Sequence, residues 1–204
     1  MKGTPYMQIE LIRHGMTALQ AEKRYQGITD APLSEKGAEQ LTRSSSCPDV
    51  VYVSPLRRAR ETAEILFPDA RQIVIPDLAE MNFGVFEGHN YLEMADDPAY
   101  RAWVDGMCLG CPPGGESKTH YCERVCRAFS ALLDQAIQTG RERLVITAHG
   151  GTQMAVLERF AKEKKDFYLW QLPSGHGYLL DAPDWLENKT LRVVGIISYV
   201  TDQD

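Results

Sequence analysis

Basic residues are in the minority in this 204-residue sequence. Lysine and arginine together number 22 against 28 aspartates and glutamates, which gives a formal net charge of -6 at pH 7. Proteins that bind nucleic acid usually present a clustered basic face, so this balance argues against a nucleic-acid partner. A site for a phosphorylated molecule in such an acidic chain has to create its own local positive field.

The sequence also lacks long apolar runs. No segment approaches the ~18 apolar residues of a membrane-spanning helix, and the opening stretch has no apolar core preceded by cations, as a secretory signal would have. We therefore expect a cytoplasmic protein with no membrane partner. The hydrophobic content of 44% is sufficient for one full core, and no repeat or linker divides the chain. We predict a single domain over residues 1–204.

The cysteines are few and odd in number, which does not fit a secreted disulfide framework. Five are present. Four of them and one histidine have the ligand types of a zinc site: Cys108, Cys111, His120, Cys122 and Cys126. However, Cys122 and Cys126 are one helical turn apart in a segment with an apolar face, and free cysteine packs well in cores. We favour this packing role and expect neither a metal nor a cofactor.

Short apolar runs alternate with segments of helical periodicity along the chain. The runs predict strands at 7–12, 50–53, 72–75, 144–148, 178–180 and 191–200, with a turn joining the last two. A first helix is predicted from an N-cap at Ser34 to the serines at 44–46, and a second begins at a cap at Ser54 with Pro55 in its first turn. Two further helices are predicted over 121–136 and over 153–161. This alternation predicts an α/β fold with a mostly parallel central sheet.

The first strand leads into the segment Arg13-His14-Gly15. Open α/β sheets bind ligands at the carboxyl ends of their strands. Arginine offers a fork of donors to phosphate oxygens, and a neutral histidine nitrogen can attack phosphorus. A single histidine in such a turn is more often a hydrogen-bonded surface group, so this segment alone does not establish a catalytic site.

Two further segments place similar groups after predicted strands. Arg57 and Arg58 fall in the first turn of a helix, where their charges add to the positive end of its dipole. We expect one of the two to lie on the solvated face. A second histidine, His149, follows the strongest buried-strand pattern in the chain and precedes two glycines. It therefore stands where His14 stands, at the end of a parallel strand.

Two glutamates, Glu80 and Glu87, follow the third predicted strand and lie close to glycines and phenylalanines. Such a setting can desolvate a carboxyl group, although either residue taken alone is more often a surface glutamate. The irregular stretch that follows, at about 88–116, is interpreted as an insertion that covers the carboxyl edge of the sheet.

Four segments have now been described, around His14, Arg58, Glu80 and His149. Taken in their order along the chain, they resemble those of the histidine phosphatase superfamily, the phosphoglycerate-mutase-like enzymes, over about residues 7–180. The resemblance implies a three-layer αβα sandwich with a mostly parallel central sheet. It makes His14 the nucleophile that becomes phosphohistidine and Glu80 the general acid. The other members of the phosphate pocket would be Arg13, Arg58 and His149.

The resemblance also implies secondary pocket positions. These are Thr17, Gln20, Gln26 and Gly27, although the family often has an asparagine where this chain has Gln20. In the insertion, Tyr91 is a candidate to stack on a base-like leaving group, together with Tyr100 and Trp103. The alternative for these rings is local packing.

The chemistry implied by the resemblance needs no metal. Charge on a transferring phosphoryl group lies on its equatorial oxygens, so two guanidiniums and an imidazole can stabilise it directly. His14 must be neutral to attack, whereas His149 helps more as a cation. We therefore expect their surroundings to push the two pKa values apart.

The charge of the insertion separates two possible reactions. Between Met81 and Ser117 there are six acidic residues and a single cation, Arg101. A mutase has to hold a carboxylate and retain a second phosphate, which requires additional basic groups. Hydrolysis of a small phosphorylated molecule is therefore favoured over mutase chemistry, and a non-catalytic module that binds a phospho-ligand is a third alternative. A homodimer is left open.

Among phosphatases of the family, the sequence looks most similar to the α-ribazole phosphatases. The segments that carry this likeness are Glu80-Met81-Asn82-Phe83-Gly84, Phe86-Glu87-Gly88 and Pro113-Gly114-Gly115-Glu116-Ser117. Because these motifs recur in relatives of broad specificity, α-ribazole phosphate is one candidate substrate among several.

Overall fold

The computed structural model describes residues 7–201, so the predicted domain limits at residues 1 and 204 lie outside the described residues. Its strands are β1 (Gln8–Arg13), β2 (Val50–Val53), β3 (Arg71–Val74), β4 (Arg143–Ala148), β5 (His176–Asp181) and β6 (Arg192–Ser198). They form one sheet in the order β3-β2-β4-β1-β5-β6. The first four in this order are parallel, and β5 is antiparallel to both β1 and β6. The predicted mostly parallel sheet is confirmed.

Helices cover both faces of the sheet. The α-helices are α1 (Ala18–Ala21), α2 (Glu35–Glu39), α3 (Arg57–Leu66), α4 (Pro98–Asp105), α5 (Lys118–Gln138), α6 (Gly150–Phe160) and α7 (Trp185–Asn188). Short 3₁₀ helices lie at Pro76–Leu78, Gly84–Phe86 and Phe167–Trp170. No helix within residues 7–201 is long and apolar enough to span a lipid bilayer.

The alternation of side chains along the central strands produces the two outer layers. In β1, Leu11 packs into the cluster that contains the apolar faces of α5 and α6, whereas Ile12 packs into a second cluster with α3. In β4, Ile146 and Val145 divide between the same two clusters. Both faces of these strands are therefore buried, as is typical of parallel sheets, and the three-layer architecture is confirmed.

Two helix boundaries differ from the prediction because the chain makes contacts with distant segments. Helix α2 begins after the predicted Ser34 cap but ends at Glu39, well before the serine run. The chain then turns to the sheet, where Leu41 forms an isolated bridge with Val200. Helix α3 has Leu56 as its N-cap residue, not the predicted Ser54. The Ser54 hydroxyl instead lies 2.6 Å from Nε2 of His149.

Two further elements were only partly predicted. Helix α6 begins at Gly150, three residues before the predicted start, directly after its N-cap residue His149. The connection between β5 and β6 contains the short helix α7, whose Trp185 is fully buried, where the sequence predicted only a turn.

The predicted insertion at about 88–116 contains α4 and has a small apolar cluster of its own. Met94, Tyr100 and Trp103 pack there on Phe86, and Tyr25 contributes from outside the insertion. Tyr100 and Trp103 therefore both take part in local packing. The cluster fixes the insertion beside the carboxyl ends of the parallel strands, where Trp103 also borders a cavity.

The cysteines of helix α5 take the packing role. Cys126 belongs to the main core cluster and Cys122 packs against it. Burial raises the pKa of the Cys122 thiol to about 11 and that of Cys126 to about 12. Among residues 7–201, no group of three or more histidine, cysteine and acidic side chains is arranged to hold a metal ion.

Candidate active site

The ends of β1 and β4 bring two distant histidines together. These strands are parallel neighbours, with Arg13 paired to Ala148 at the last register position. The residues that follow, His14 and His149, therefore leave the sheet side by side. Their ring centroids are 5.2 Å apart, with the rings inclined at 67°, and both side chains are buried.

The hydrogen bonds of His14 define which ring nitrogen carries no proton. Nδ1 lies 2.7 Å from the carbonyl oxygen of Gly15. Because a carbonyl only accepts, Nδ1 carries the proton in this contact. Nε2 accepts a hydrogen bond of 3.2 Å from Nε of Arg58. The lone pair of Nε2 therefore points toward the guanidinium of Arg58.

Arg58 is held by the loop that precedes α2. Its Nη1 donates to the carbonyl oxygen of Thr29 at 2.8 Å and its Nη2 to that of Gly27 at 2.7 Å. The side chain is almost completely buried. Arg57, in contrast, is exposed and pairs with Glu61 at 3.0 Å, so one of the two arginines lies on the solvated face, as expected.

Two buried polar atoms beside these groups have no hydrogen-bond partner in the part of the chain that the structure describes. They are Nε of Arg13 and Nδ1 of His149. Arg13 donates from Nη1 to the carbonyl oxygen of Leu172, which fixes the direction of its guanidinium. Since an unsatisfied buried polar atom costs roughly 1–3 kcal/mol, these atoms indicate a position for a ligand with acceptor oxygens.

A glycine lets α6 approach this position closely. A Cβ atom at Gly150 would lie 3.2 Å from Nε of Arg13. Because α6 begins there, its first backbone N–H groups and the positive end of its dipole face the same region. The acidic chain thus creates a local positive field from Arg13, Arg58 and a helix N-terminus.

The pKa values of the two histidines are shifted in the same direction, whereas the sequence led us to expect a neutral His14 beside a cationic His149. Burial lowers the pKa of His14 well below 6.5, and Arg58 and Arg13 lower it further. Burial and Arg58 also lower the pKa of His149 well below 6.5. The two rings share one buried environment and the same arginines, so both are neutral at pH 7.

Glu80 lies at the edge of this pocket with both carboxylate oxygens hydrogen-bonded. Oε1 accepts from the hydroxyl of Tyr121 at 2.6 Å and from the backbone N–H of Met81 at 3.1 Å. Oε2 accepts from the backbone N–H of Gly151 at 3.3 Å. The carboxylate is close enough to Arg13 and Arg58 to act on both guanidiniums. The sequence did not identify Tyr121 as a site residue.

The predicted secondary positions have mainly local contacts. Thr17 caps α1, where its Oγ1 accepts from the backbone N–H of Gln20 at 3.2 Å and Oε1 of Gln20 accepts from the backbone N–H of Thr17 at 3.1 Å. This capping box gives Gln20 a structural role in α1. Thr17 also donates to Gln26 at 2.6 Å, whose buried Nε2 has no partner among residues 7–201.

Gly27 is required by a close approach of two loops. A Cβ atom at this position would lie 1.9 Å from the carbonyl oxygen of Met81 and 2.4 Å from Oε1 of Glu87. Only glycine lets this loop run so close to the Met81 carbonyl group and still present its own carbonyl oxygen to Arg58.

Glu87 organises the same loop, which corrects its interpretation as a surface glutamate. Its carboxylate accepts from the backbone N–H groups of Ile28 at 2.9 Å, Thr29 at 2.7 Å and Phe83 at 3.1 Å. A carboxylate that accepts several backbone bonds is strongly anchored. Glu87 thereby fixes the loop whose carbonyl groups orient Arg58.

A cavity of about 370 Å³ opens beside Glu80. It is lined by Tyr25, Glu80, Met81, Phe83, Trp103, Cys108, Lys118, Tyr121, Gly151, Met154, Phe167 and Tyr168. The only cation in this lining is Lys118, whose Nζ lies 3.8 Å from the ring centroid of Phe167. Most of the lining is aromatic or apolar, which is typical of sites for ring-bearing ligands.

Several of these lining residues were missed by the sequence analysis. The aromatic run at 167–170 was a visible signal, but nothing in its spacing ties it to Glu80. Lys118 follows directly after the segment whose charges were counted. Tyr91, which was predicted to contact substrate, is 50% exposed and does not line the cavity, so the structure does not bring it to the site.

Comparison with known proteins gives the family. The family model described as histidine phosphatase superfamily (branch 1) matches residues 9–180. The chain is 31% identical over 163 residues to 2,3-bisphosphoglycerate-dependent phosphoglycerate mutase 2 of Gloeobacter violaceus, with 72% of each chain covered. It is 33% identical over 162 residues to adenosylcobalamin/alpha-ribazole phosphatase of Salmonella typhimurium, with 75% of this chain and 79% of that one covered.

A solved structure extends the likeness to the whole fold. The alpha-ribazole phosphatase from Shigella flexneri is similar with a TM-score of 0.80 at 26% identity, covering 97% of this chain and 100% of that one. Relatives named for mutase and for phosphatase reactions thus match to a similar degree. This chain belongs to the histidine phosphatase superfamily.

Proposed function

We propose that this protein is a phosphatase that hydrolyses a small-molecule phosphate monoester through a phosphohistidine at His14. The observation that carries the proposal is the buried lone pair of His14 Nε2, which faces Arg58 at 3.2 Å and lies beside His149. Together with the unpartnered atoms of Arg13 and His149, these groups supply the nucleophile and the donors that transfer of one phosphoryl group requires.

In the first step, Nε2 of His14 attacks phosphorus as the bond to the ester oxygen breaks. Arg13, Arg58 and His149 stabilise the charge on the equatorial oxygens, and each preorganised donor contributes about 3 kcal/mol. Because His14 is neutral at pH 7, the nucleophile does not first have to lose a proton.

Glu80 then accounts for the protons of both steps. Protonated Glu80 gives its proton to the leaving oxygen, which departs as an alcohol. Water next attacks the phosphohistidine and returns a proton to Glu80 as the bond from nitrogen to phosphorus breaks. His14 is regenerated and inorganic phosphate is released.

The aromatic cavity beside Glu80 supports a leaving group that contains a ring. Its lining includes Glu80, the proposed general acid, and Gly151, so it lies on the side of the site from which the leaving oxygen would receive its proton. α-Ribazole phosphate has such a leaving group, and two of the similar proteins are named for this reaction. It is therefore the first natural compound to be tested.

The direct test compares the wild type with His14→Ala. We expect the wild type to release phosphate from 4-nitrophenyl phosphate and the variant to be inactive. Mass spectrometry of wild type quenched during turnover should find an acid-labile phosphoryl group on His14. Equal rates for the two proteins would remove His14 from the mechanism, and an inactive wild type would favour the non-catalytic alternative.

The substrate is tested separately. We expect kcat/KM for α-ribazole phosphate to exceed that for glycerol phosphate and ribose 5-phosphate. Equal values for all three esters would contradict selectivity for a ring-bearing leaving group, while the hydrolase assignment would stand.

One observation favours a second candidate, the mutase reaction. Lys118 adds a cation to the cavity, where it has a position from which to bind the carboxylate of a phosphoglycerate. The test is incubation with 3-phosphoglycerate, with and without 2,3-bisphosphoglycerate. Formation of 2-phosphoglycerate faster than release of phosphate would favour the mutase, whereas release of phosphate alone supports hydrolysis.

A further inference from the structure

The general acid proposed above, Glu80, has unequal contacts at its two carboxylate oxygens. Oε1 receives two donors, Tyr121 Oη at 2.6 Å and the backbone N–H of Met81 at 3.1 Å. Oε2 receives only the backbone N–H of Gly151, at 3.3 Å. An oxygen that already accepts two hydrogen bonds is the poorer place for an added proton.

We propose that Tyr121 is a positioning residue that holds Oε1 of Glu80, so that Oε2 is the oxygen that gives the proton to the leaving group. This inference rests on the proposed hydrolysis and adds to it a residue and an atom. The proton on Oε2 passes to the ester oxygen as its bond to phosphorus breaks, and Oε2 takes a proton from water in the second step. Tyr121 donates to Oε1 throughout and exchanges no proton.

The surroundings of Tyr121 suit this role. Tyr121 lies near the start of α5, and its ring is buried in the main core cluster. Burial and the nearby Glu80 raise the pKa of Tyr121 well above 10, so its hydroxyl stays protonated and remains a donor. The ring is anchored by packing, and the hydroxyl therefore has a fixed direction.

Helix α6 lies directly against the hydrogen bond between Tyr121 and Glu80. A Cβ atom at Gly151 would lie 2.3 Å from Oε1 of Glu80 and 2.5 Å from Oη of Tyr121. Any larger residue at this position would displace one of the two groups. Glycine in the first turn of α6 is thus explained by the approach of the Tyr121–Glu80 pair.

The test is the dependence of kcat/KM on the acidity of the leaving group. A series of substituted phenyl phosphates of similar shape, from phenyl to 4-nitrophenyl phosphate, is hydrolysed by wild type, Tyr121→Phe and Glu80→Gln. A general acid matters most for poor leaving groups. We expect Tyr121→Phe to lose about 10-fold on phenyl phosphate and less than about 2-fold on 4-nitrophenyl phosphate, and Glu80→Gln to show a steeper dependence still.

Tyr199→Phe is the matched control. Its hydroxyl also donates to a carboxylate, Oε2 of Glu10 at 2.5 Å, but Glu10 pairs with Arg143 at the start of β4, away from the pocket. This variant should keep the wild-type dependence on leaving group. If Tyr121→Phe lowers all rates equally, or none, the positioning role is overturned.

A double variant keeps the inference testable if Tyr121→Phe loses stability. When residue 80 is glutamine, no proton donor is left to position, so adding Tyr121→Phe should not steepen the dependence further. A steeper dependence in the double variant would overturn the inference. Wild type that hydrolyses none of the esters would overturn the proposed function itself, which is a distinguishable result.

Discussion

Nε of Arg58 lies 3.2 Å from Nε2 of His14, although 44 residues separate the two in the sequence. The contact marks the reactive nitrogen, since a guanidinium can only donate. It also places a permanent positive charge beside the atom that is proposed to form a bond to phosphorus. The arrangement leads to the following expectations.

Arg58→Ala should lower kcat for 4-nitrophenyl phosphate by about 10²–10³-fold, the usual loss for one preorganised donor at a developing charge. Part of the loss will come from the loop, because Arg58 also binds the carbonyl groups of Gly27 and Thr29. Arg57→Ala is the control, since Arg57 is exposed, and it should retain nearly wild-type kinetics. Equal effects of the two substitutions would contradict the assignment of Arg58 to the pocket.

The stability of the protein should fall as the pH decreases below 6.5. The pKa values of His14 and His149 are lowered well below 6.5 in the folded protein, so in this range the unfolded chain binds protons at both imidazoles and the folded chain does not. Each imidazole then contributes a slope of up to about 1.4 kcal/mol per pH unit.

Urea unfolding of the wild type and of His14→Asn between pH 7 and about pH 5 measures this slope. The variant should show a shallower decline in the free energy of unfolding, whatever its absolute stability. His89→Asn, which changes a histidine that is 57% exposed, should keep the wild-type slope. An unchanged slope in His14→Asn would show that its imidazole is not buried in neutral form.

Gly27→Ala should destabilise the protein by about 1–3 kcal/mol, the usual cost of overpacking. The added methyl group would lie 1.9 Å from the carbonyl oxygen of Met81, so one of the two loops must move. Activity should fall with it, because the carbonyl oxygen of Gly27 orients Arg58. Gly195→Ala, with nothing within 4 Å of the added atom, is the control in the same urea titration.

Tyr168→Ala should reduce kcat/KM for 1-naphthyl phosphate more than for glycerol phosphate, since Tyr168 lines the cavity. Tyr91→Ala should alter neither value. The two tyrosines are matched in exposure, at 56% and 50%, so both substitutions carry a small risk to folding. If Tyr91→Ala lowers kcat/KM for 1-naphthyl phosphate more than Tyr168→Ala does, then Tyr91 contacts the leaving group, as the sequence predicted.

The sequence predicted the elements that local patterns encode. Apolar runs located β2 and β4 closely, and the 3.6-residue period located α5, because burial imposes those periods on the chain. The motifs at His14, Arg58, Glu80 and His149 identified the family through their order. Helix ends were less accurate, as at Ser54, because a hydroxyl that meets a distant histidine no longer caps its own helix.

By itself, the amino-acid sequence determined the α/β class and the family, and it predicted that His14, Arg58 and His149 come together, since the motifs are encoded in short segments. Only the tertiary structure decided that both histidines are neutral, that Glu87 anchors a loop, and that Tyr121 donates to Glu80. It also decided that Lys118 and Tyr168, not Tyr91, line the cavity beside Glu80. These properties depend on burial and on contacts between segments far apart in the chain, and no local period or spacing records them.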